Sequence, residues 1–364
     1  MADERTIVAI GTRKGLWLAT SEDNRARWQL TGPHNPMTAV YAVAVDPRRA
    51  RPRLLVGTTS EHFGPTVVTS DDLGRTWREP DQPPLAFPED TGAALGRVWQ
   101  LTPGPACEPE VVYAGVEPSA LFRSEDGGLT YELVRGLWEH EHRPDWGAGY
   151  GGQAIHTVLP HPTRPESITV AMSTGGVYRS EDRGASWHAA NRGIQAGFLP
   201  ERYPEFGQCV HKVARHPDRP ERFFLQNHGG VYRSEDDAAS WQSIAEGLPS
   251  DFGFTVVVHP HQPDTVYTFP LIADENRFAP EGRCRVYRSE DAGRSWQALQ
   301  RGLPEAGFYS TVLRDAMCTD DAETAGLYFG SRSGEVYASR DEGQSWQVIA
   351  KHLPDVLCVR AATV

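Results

Sequence analysis

Ser180-Glu181-Asp182-Arg183-Gly184-Ala185-Ser186-Trp187 and Ser289-Glu290-Asp291-Ala292-Gly293-Arg294-Ser295-Trp296 are two copies of one eight-residue cassette. The same spelling returns at 70–77 and 339–346. At 124–131 Tyr131 stands for Trp, and at 234–241 Ala238 stands for Gly. The copy at 21–28 is the most eroded, with Arg25 in place of Gly and Arg27 in place of the second hydroxyl. The shared Asp falls at 23, 72, 126, 182, 236, 291 and 341, at intervals of 49 to 56 residues. An internal period near fifty residues signals stacked supersecondary units, a propeller or an array.

Each cassette is turn chemistry. Asp accepts hydrogen bonds from nearby backbone N–H groups, and Gly occupies the positive-φ position that closes the turn. Short β-rich runs lead into the cassettes, such as Gly176-Val177-Tyr178-Arg179, and the closing Trp opens the next strand. The seven aspartates therefore read as turn staples and not as catalytic acids.

The spelling S-x-D-x-G-x-[ST]-W resembles the Asp-box, or BNR repeat, of sialidase-like β-propellers, and the resemblance runs over nearly the full length. It implies an all-β, seven-bladed propeller with four-stranded antiparallel blades. That set spans sialidases, xyloglucanases, sortilin-type receptors and photosystem assembly factors, so it implies little about activity. A sialidase proper is disfavoured: the chain has no Arg-Ile-Pro, its nearest N-terminal arginine turn is Thr12-Arg13-Lys14-Gly15, and sialidase domains have six blades. A xyloglucanase-like enzyme would need two such propellers around a cleft.

With 364 residues, 35 Gly and 28 Pro, the repeats fill a single expected domain, 1–364. A proline pattern marks inner strands at 41–47, 99–105, 156–162, 211–217 and 254–260, with a looser one at 310–316. The first cassette lacks an inner strand, and the C-terminal run 356–361 has no cassette after it. The C-terminal strand is therefore expected to complete the first blade and close the ring. Blade bodies follow at about 1–34 plus 353–364, 35–84, 93–138, 150–194, 206–248, 252–303 and 307–350.

A net charge of −12 without a basic stripe argues against nucleic acid, and no apolar run is long enough for a membrane span. The start lacks a signal-peptide core, and five scattered cysteines suit a reducing compartment, so the expected location is cytoplasmic.

Function is expected at the blade ends away from the cassettes, where the long links 79–96, 138–152 and 193–207 and the turns 60–66 and 271–283 lie. Inner strands begin at that end, which places His156 and His211 at matching positions of adjacent blades. Three roles compete for these imidazoles: bonding to channel water, metal ligation by His156, His211 and His228, and acid–base work beside Glu117 or Asp145. Tyr41, Trp99, Trp146 and Phe254 would supply walls, with His62, Arg13 and Arg332 as further ligand-binding candidates and Arg277 beside them. Glu117 paired with Asp145, Glu205 or Asp274 could supply glycosidase carboxylates. Tyr150, Tyr203 and Tyr309 could also face the mouth. The expected function is binding of a small polar molecule, or a divalent metal, in a funnel, with hydrolase or lyase chemistry centred on His156, His211 and Glu117. The alternative is a non-catalytic module holding a protein partner on the face opposite the cassettes.

Overall fold

Asp126 shows why the chain turns where it does. Its carboxylate accepts the Ser124 hydroxyl at 2.7 Å, the N–H groups of Leu129 and Thr130 at 2.9 Å, and the Thr130 hydroxyl at 2.6 Å. The Ser124 hydroxyl oxygen in turn accepts the Gly128 N–H at 2.8 Å. The same wiring recurs at Asp72, Asp182, Asp291 and Asp341. In the eroded first copy the Arg27 guanidinium replaces the missing hydroxyl, donating to Asp23 at 2.6 Å. Ala238 adopts the left-handed conformation itself, at φ 64°. Donation by the Ser186 and Thr76 hydroxyls and N–H groups holds Asp182 and Asp72 down at about 2, below the usual carboxylate range.

The computed structural model describes residues 5–48, 51–78, 80–149, 152–273 and 276–364. Each cassette joins the third and fourth strands of an antiparallel sheet. Among the described residues six sheets are four-stranded, and the seventh, Thr38–Asp46, Arg53–Ser60 and Gly64–Ser70, carries at its outer edge a bridge between Thr69 and Arg78. The fold is an all-β seven-bladed propeller.

Val356–Thr363 pairs antiparallel with Thr6–Thr12, Ile10 opposite Val359, so the last strand becomes the inner strand of the first blade. The blade bodies follow the cassettes as expected. One inner strand does not: in the last blade it is Met317–Thr319, and 310–316 is not a strand. Asp315 explains the shift. Its carboxylate is bound by Lys212 at 2.7 Å and by Arg360, and it bridges in parallel to Cys358, which holds the approach to the sheet out of a ladder. Burial opposes its charge, but these two cations keep Asp315 below the usual carboxylate value.

By internal contacts the chain forms two compact units, 1–37 with 211–237 and 241–364, and 38–210 with 238–240, one cut falling between the first and second blades and the others within blade five. The first unit's core includes Phe269, Phe329, Tyr328 and Val359. The second has two apolar layers, one around Leu55, Val98 and Phe122 and the other around Tyr113, Val170 and Tyr178. Alternation along each strand creates both layers: every second side chain faces one neighbouring sheet.

Candidate functional site

In the second unit, Arg97–Pro103 and Val112–Glu117 pair with Arg97 opposite Glu117, at the end of the blade away from its cassette. The pairing slips by one residue between Val98 and Gln100, leaving Trp99 as the extra residue of a bulge, and both Arg97 and Trp99 meet Tyr41. The Tyr41 and Trp99 rings lie 5.2 Å apart, and the Arg97 guanidinium sits 4.3 Å from the first and 5.2 Å from the second. Glu117 accepts the Trp99 indole N–H at 3.0 Å and pairs with Arg97 at 3.5 Å. Arg97 and Glu117 side chains remain 29% and 28% exposed, so the pair is presented to solvent on an aromatic base. Gly152, at φ 104°, packs on Glu117 so closely that a Cβ would stand 2.6 Å from its Oε1. The structure brings together Tyr41, Trp99 and Glu117, three residues singled out in the sequence. Arg97, which the sequence reading did not name, joins them across a bulge that no local pattern announces.

His156 occupies a different environment from the one expected. It is fully buried, with Nε2 at 2.9 Å from the Val210 carbonyl and Nδ1 at 3.2 Å from the Thr157 hydroxyl. Both ring nitrogens are engaged inside the protein, which removes His156 from a ligand-facing or metal-binding role. Trp146 is likewise interior: it is buried, and its indole N–H donates to the Tyr178 hydroxyl at 2.9 Å. His142 reaches the same hydroxyl and stacks on Phe206 at 4.1 Å, so these two side chains of the link turn inward. Asp145 is exposed on the single helical turn Arg143–Asp145. His62 is exposed in its turn, next to Phe63. Asp274 and Tyr150 lie outside the described residues.

In the first unit, His211 is buried and its Nδ1 lies 2.6 Å from the Gly253 carbonyl, so that nitrogen donates. Its ring packs against Phe254 at 4.8 Å, Phe252 at 5.6 Å and His228 at 5.5 Å. Burial, followed by the nearby Arg314 charge, pushes His211 down to about 3, so the imidazole is neutral. Arg277 lies over Phe254 at 5.7 Å. Arg13 and Arg332 converge on one carboxylate, Asp355, at 3.6 and 2.9 Å. Tyr309 is exposed and leans on Phe278 at 5.2 Å, and Tyr203 is exposed as well.

The family described as "Sortilin, neurotensin receptor 3" matches residues 176–328. A xyloglucanase of Paenibacillus sp. is 24% identical over 301 residues, covering 76% of this chain and 28% of that protein. Among solved structures, the GH74 enzyme of Niastella koreensis superposes with a TM-score of 0.63 at 15% identity, over 95% of this chain and 52% of that one. YCF48 from Cyanidioschyzon merolae gives 0.53 at 12% identity, over 88% of both chains. The chain thus spans less than half of the curated xyloglucanases it matches and about half of the Niastella koreensis enzyme, and the structural likeness is one of fold.

Proposed function

We propose that this chain is a saccharide-binding propeller of hydrolase type, which seats a hydroxyl-rich ligand on Tyr41, Arg97, Trp99 and Glu117. The observation that carries the reading is the exposed Arg97–Glu117 pair held on two aromatic rings. Guanidinium N–H groups donate to a sugar hydroxyl oxygen, and the carboxylate accepts the neighbouring hydroxyl's proton. This donor–acceptor couple, fixed in place by the Trp99 indole, suits vicinal hydroxyls. Similarity to xyloglucanases supports a xyloglucan-type oligosaccharide as the ligand. Hydrolysis would further require a second carboxylate about 5–10 Å from Glu117 across the sugar. With His156 interior, Glu117 is the side chain around which such chemistry would be built.

The test is calorimetric titration with xyloglucan heptasaccharide, paired with an assay for newly released reducing ends. Binding that weakens more than about tenfold in Glu117→Gln and Arg97→Ala supports the reading, since each deletes a charged hydrogen-bonding partner. No binding of neutral oligosaccharides at millimolar concentration would overturn it.

A second reading, a module for a protein partner, is favoured by Phe198, Leu199 and Tyr203, which stand 50%, 36% and 54% exposed on one link. Among the described residues no helix is long and apolar enough to cross a membrane. Either reading is proposed for the cytoplasm, a location supported by cysteines that form no disulfide.

A further inference from the structure

Blades three to six carry one recurring pair at the entry to their cassettes, an arginine directly before the serine and a glutamate directly after it. Arg179 meets Glu181 at 3.4 Å, Arg233 meets Glu235 at 2.9 Å, Arg288 meets Glu290 at 3.1 Å, and Arg123 pairs with Glu125 likewise. The arginine can also reach the following blade, as where Arg233 donates to the Ala292 carbonyl at 2.6 Å. Blade seven departs from this pattern at both positions, with Ala338 for the arginine and Arg340 for the glutamate. Where it meets the first blade there is a cavity of about 210 Å³, lined by Ala26, Ala338, Arg340, Ser345, Trp346 and Gln347. All six residues belong to the first compact unit.

We propose that this cavity binds a small carboxylate that also bears hydroxyl groups, a sugar acid. The site stands on its own residues and does not depend on the saccharide cluster around Glu117. Arg340 is exposed and has no carboxylate partner among the described residues. A guanidinium so placed takes a carboxylate through two parallel N–H donors. Trp346 supplies a second donor: it is buried, and its indole N–H finds no acceptor among the described residues. The equivalent Trp187 and Trp296 donate theirs to the carbonyls of Gly184 at 3.0 Å and Ile244 at 2.8 Å. A buried donor without a partner beside a polar cavity is satisfied by an oxygen from outside the chain.

The other polar atoms accept. Ser345 Oγ donates its own proton to Asp341, and Gln347 Nε2 donates to the Arg25 carbonyl at 2.7 Å. Ser345 Oγ and Gln347 Oε1 therefore meet a ligand as acceptors, which suits hydroxyls. Asp341 is the neighbouring anion, and its charge is offset by the Ser345 N–H at 2.8 Å and by Arg301 at 3.8 Å. The volume lies below the roughly 300–1,000 Å³ of sites for drug-sized ligands, so a single sugar unit is the matching size.

The experiment is calorimetric titration of the full chain with glucuronate, with glucose and inorganic phosphate as comparisons. Glucuronate should bind at least about tenfold more tightly than either, since it alone offers both a carboxylate and hydroxyls. Ala338→Arg and Arg340→Glu each install the residue that blades three to six use, so both should keep the wild-type circular dichroism. Each should weaken glucuronate more than about tenfold, the first by filling the cavity and the second by reversing its charge. A wild type that binds none of the three compounds, or binds glucose or phosphate as tightly as glucuronate, would overturn the site. So would a folded Ala338→Arg/Arg340→Glu double variant that retains wild-type affinity.

Discussion

Replacing Asp126 by Ala should destabilise the protein without touching the saccharide cluster. The substitution deletes four acceptor contacts, to Ser124 Oγ, Leu129 N, Thr130 N and Thr130 Oγ1. Thr130 is exposed, so its two donors turn to water at little net cost. The Ser124 hydroxyl is buried and must keep the Gly128 N–H satisfied while losing its own acceptor. Leu129 is half-buried. Two lost bonds of this kind cost about 1–3 kcal/mol together. For a chain of this size that corresponds to a melting temperature lower by roughly 1–4 °C. The turn also bears on packing, because Gly128 sits where a Cβ would press within 2.3 Å of Leu55 of the preceding blade.

The loss should depend on pH. Partial burial raises the Asp126 value, but the Thr130 hydroxyl and N–H outweigh it and hold the carboxyl below the usual range. Because the folded-state value is the lower one, the stabilisation is complete above the unfolded value near 4 and disappears as pH falls through the folded one. Asp72 and Asp182, at about 2, set the lower end of the same window for the cassettes. Calorimetric melts of wild type and Asp126→Ala should differ at pH 7 and converge as pH drops from about 4 towards 2. Equal melting at pH 7, or a gap that persists unchanged at the acid end, would refute the staple argument.

Deleting 355–364 should abolish the cooperative melt, since it strips the inner strand from the first blade and exposes the edge Thr6–Thr12; a truncated chain that melts like the intact one would contradict this. His156→Ala should cost about 2–4 kcal/mol by leaving a cavity and an unbonded Val210 carbonyl, with saccharide binding retained once the protein is folded. Its melting curve and a titration with the heptasaccharide check the two halves separately. Gly152→Ala should weaken the same titration at nearly unchanged circular dichroism, because the new Cβ displaces Glu117; unchanged affinity would show that the position of Glu117 does not matter.

What the sequence determined by itself is the repeat and everything local to it. The cassette bonds span four residues or fewer, as from Asp182 to Ser186, so the residue order alone specifies them. Seven such turns then set the number of blades, and the missing first inner strand pointed to the run 356–361 as its replacement, which the structure extends to Val356–Thr363. Tertiary structure decided which end-of-strand side chains meet solvent. His156 and His211 look equivalent in sequence, yet one has both nitrogens consumed by Val210 and Thr157 while the other anchors one nitrogen and sits beside a second imidazole. Trp146 read as an entrance residue but found the Tyr178 hydroxyl, and 310–316 read as a strand until Asp315 was claimed by Lys212 and Arg360. Each of these outcomes depends on partners tens of residues away, whose approach is set by how sheets twist and pack. Turn chemistry is short-range and is written in consecutive residues, whereas a binding surface is made of strand ends that only folding brings together.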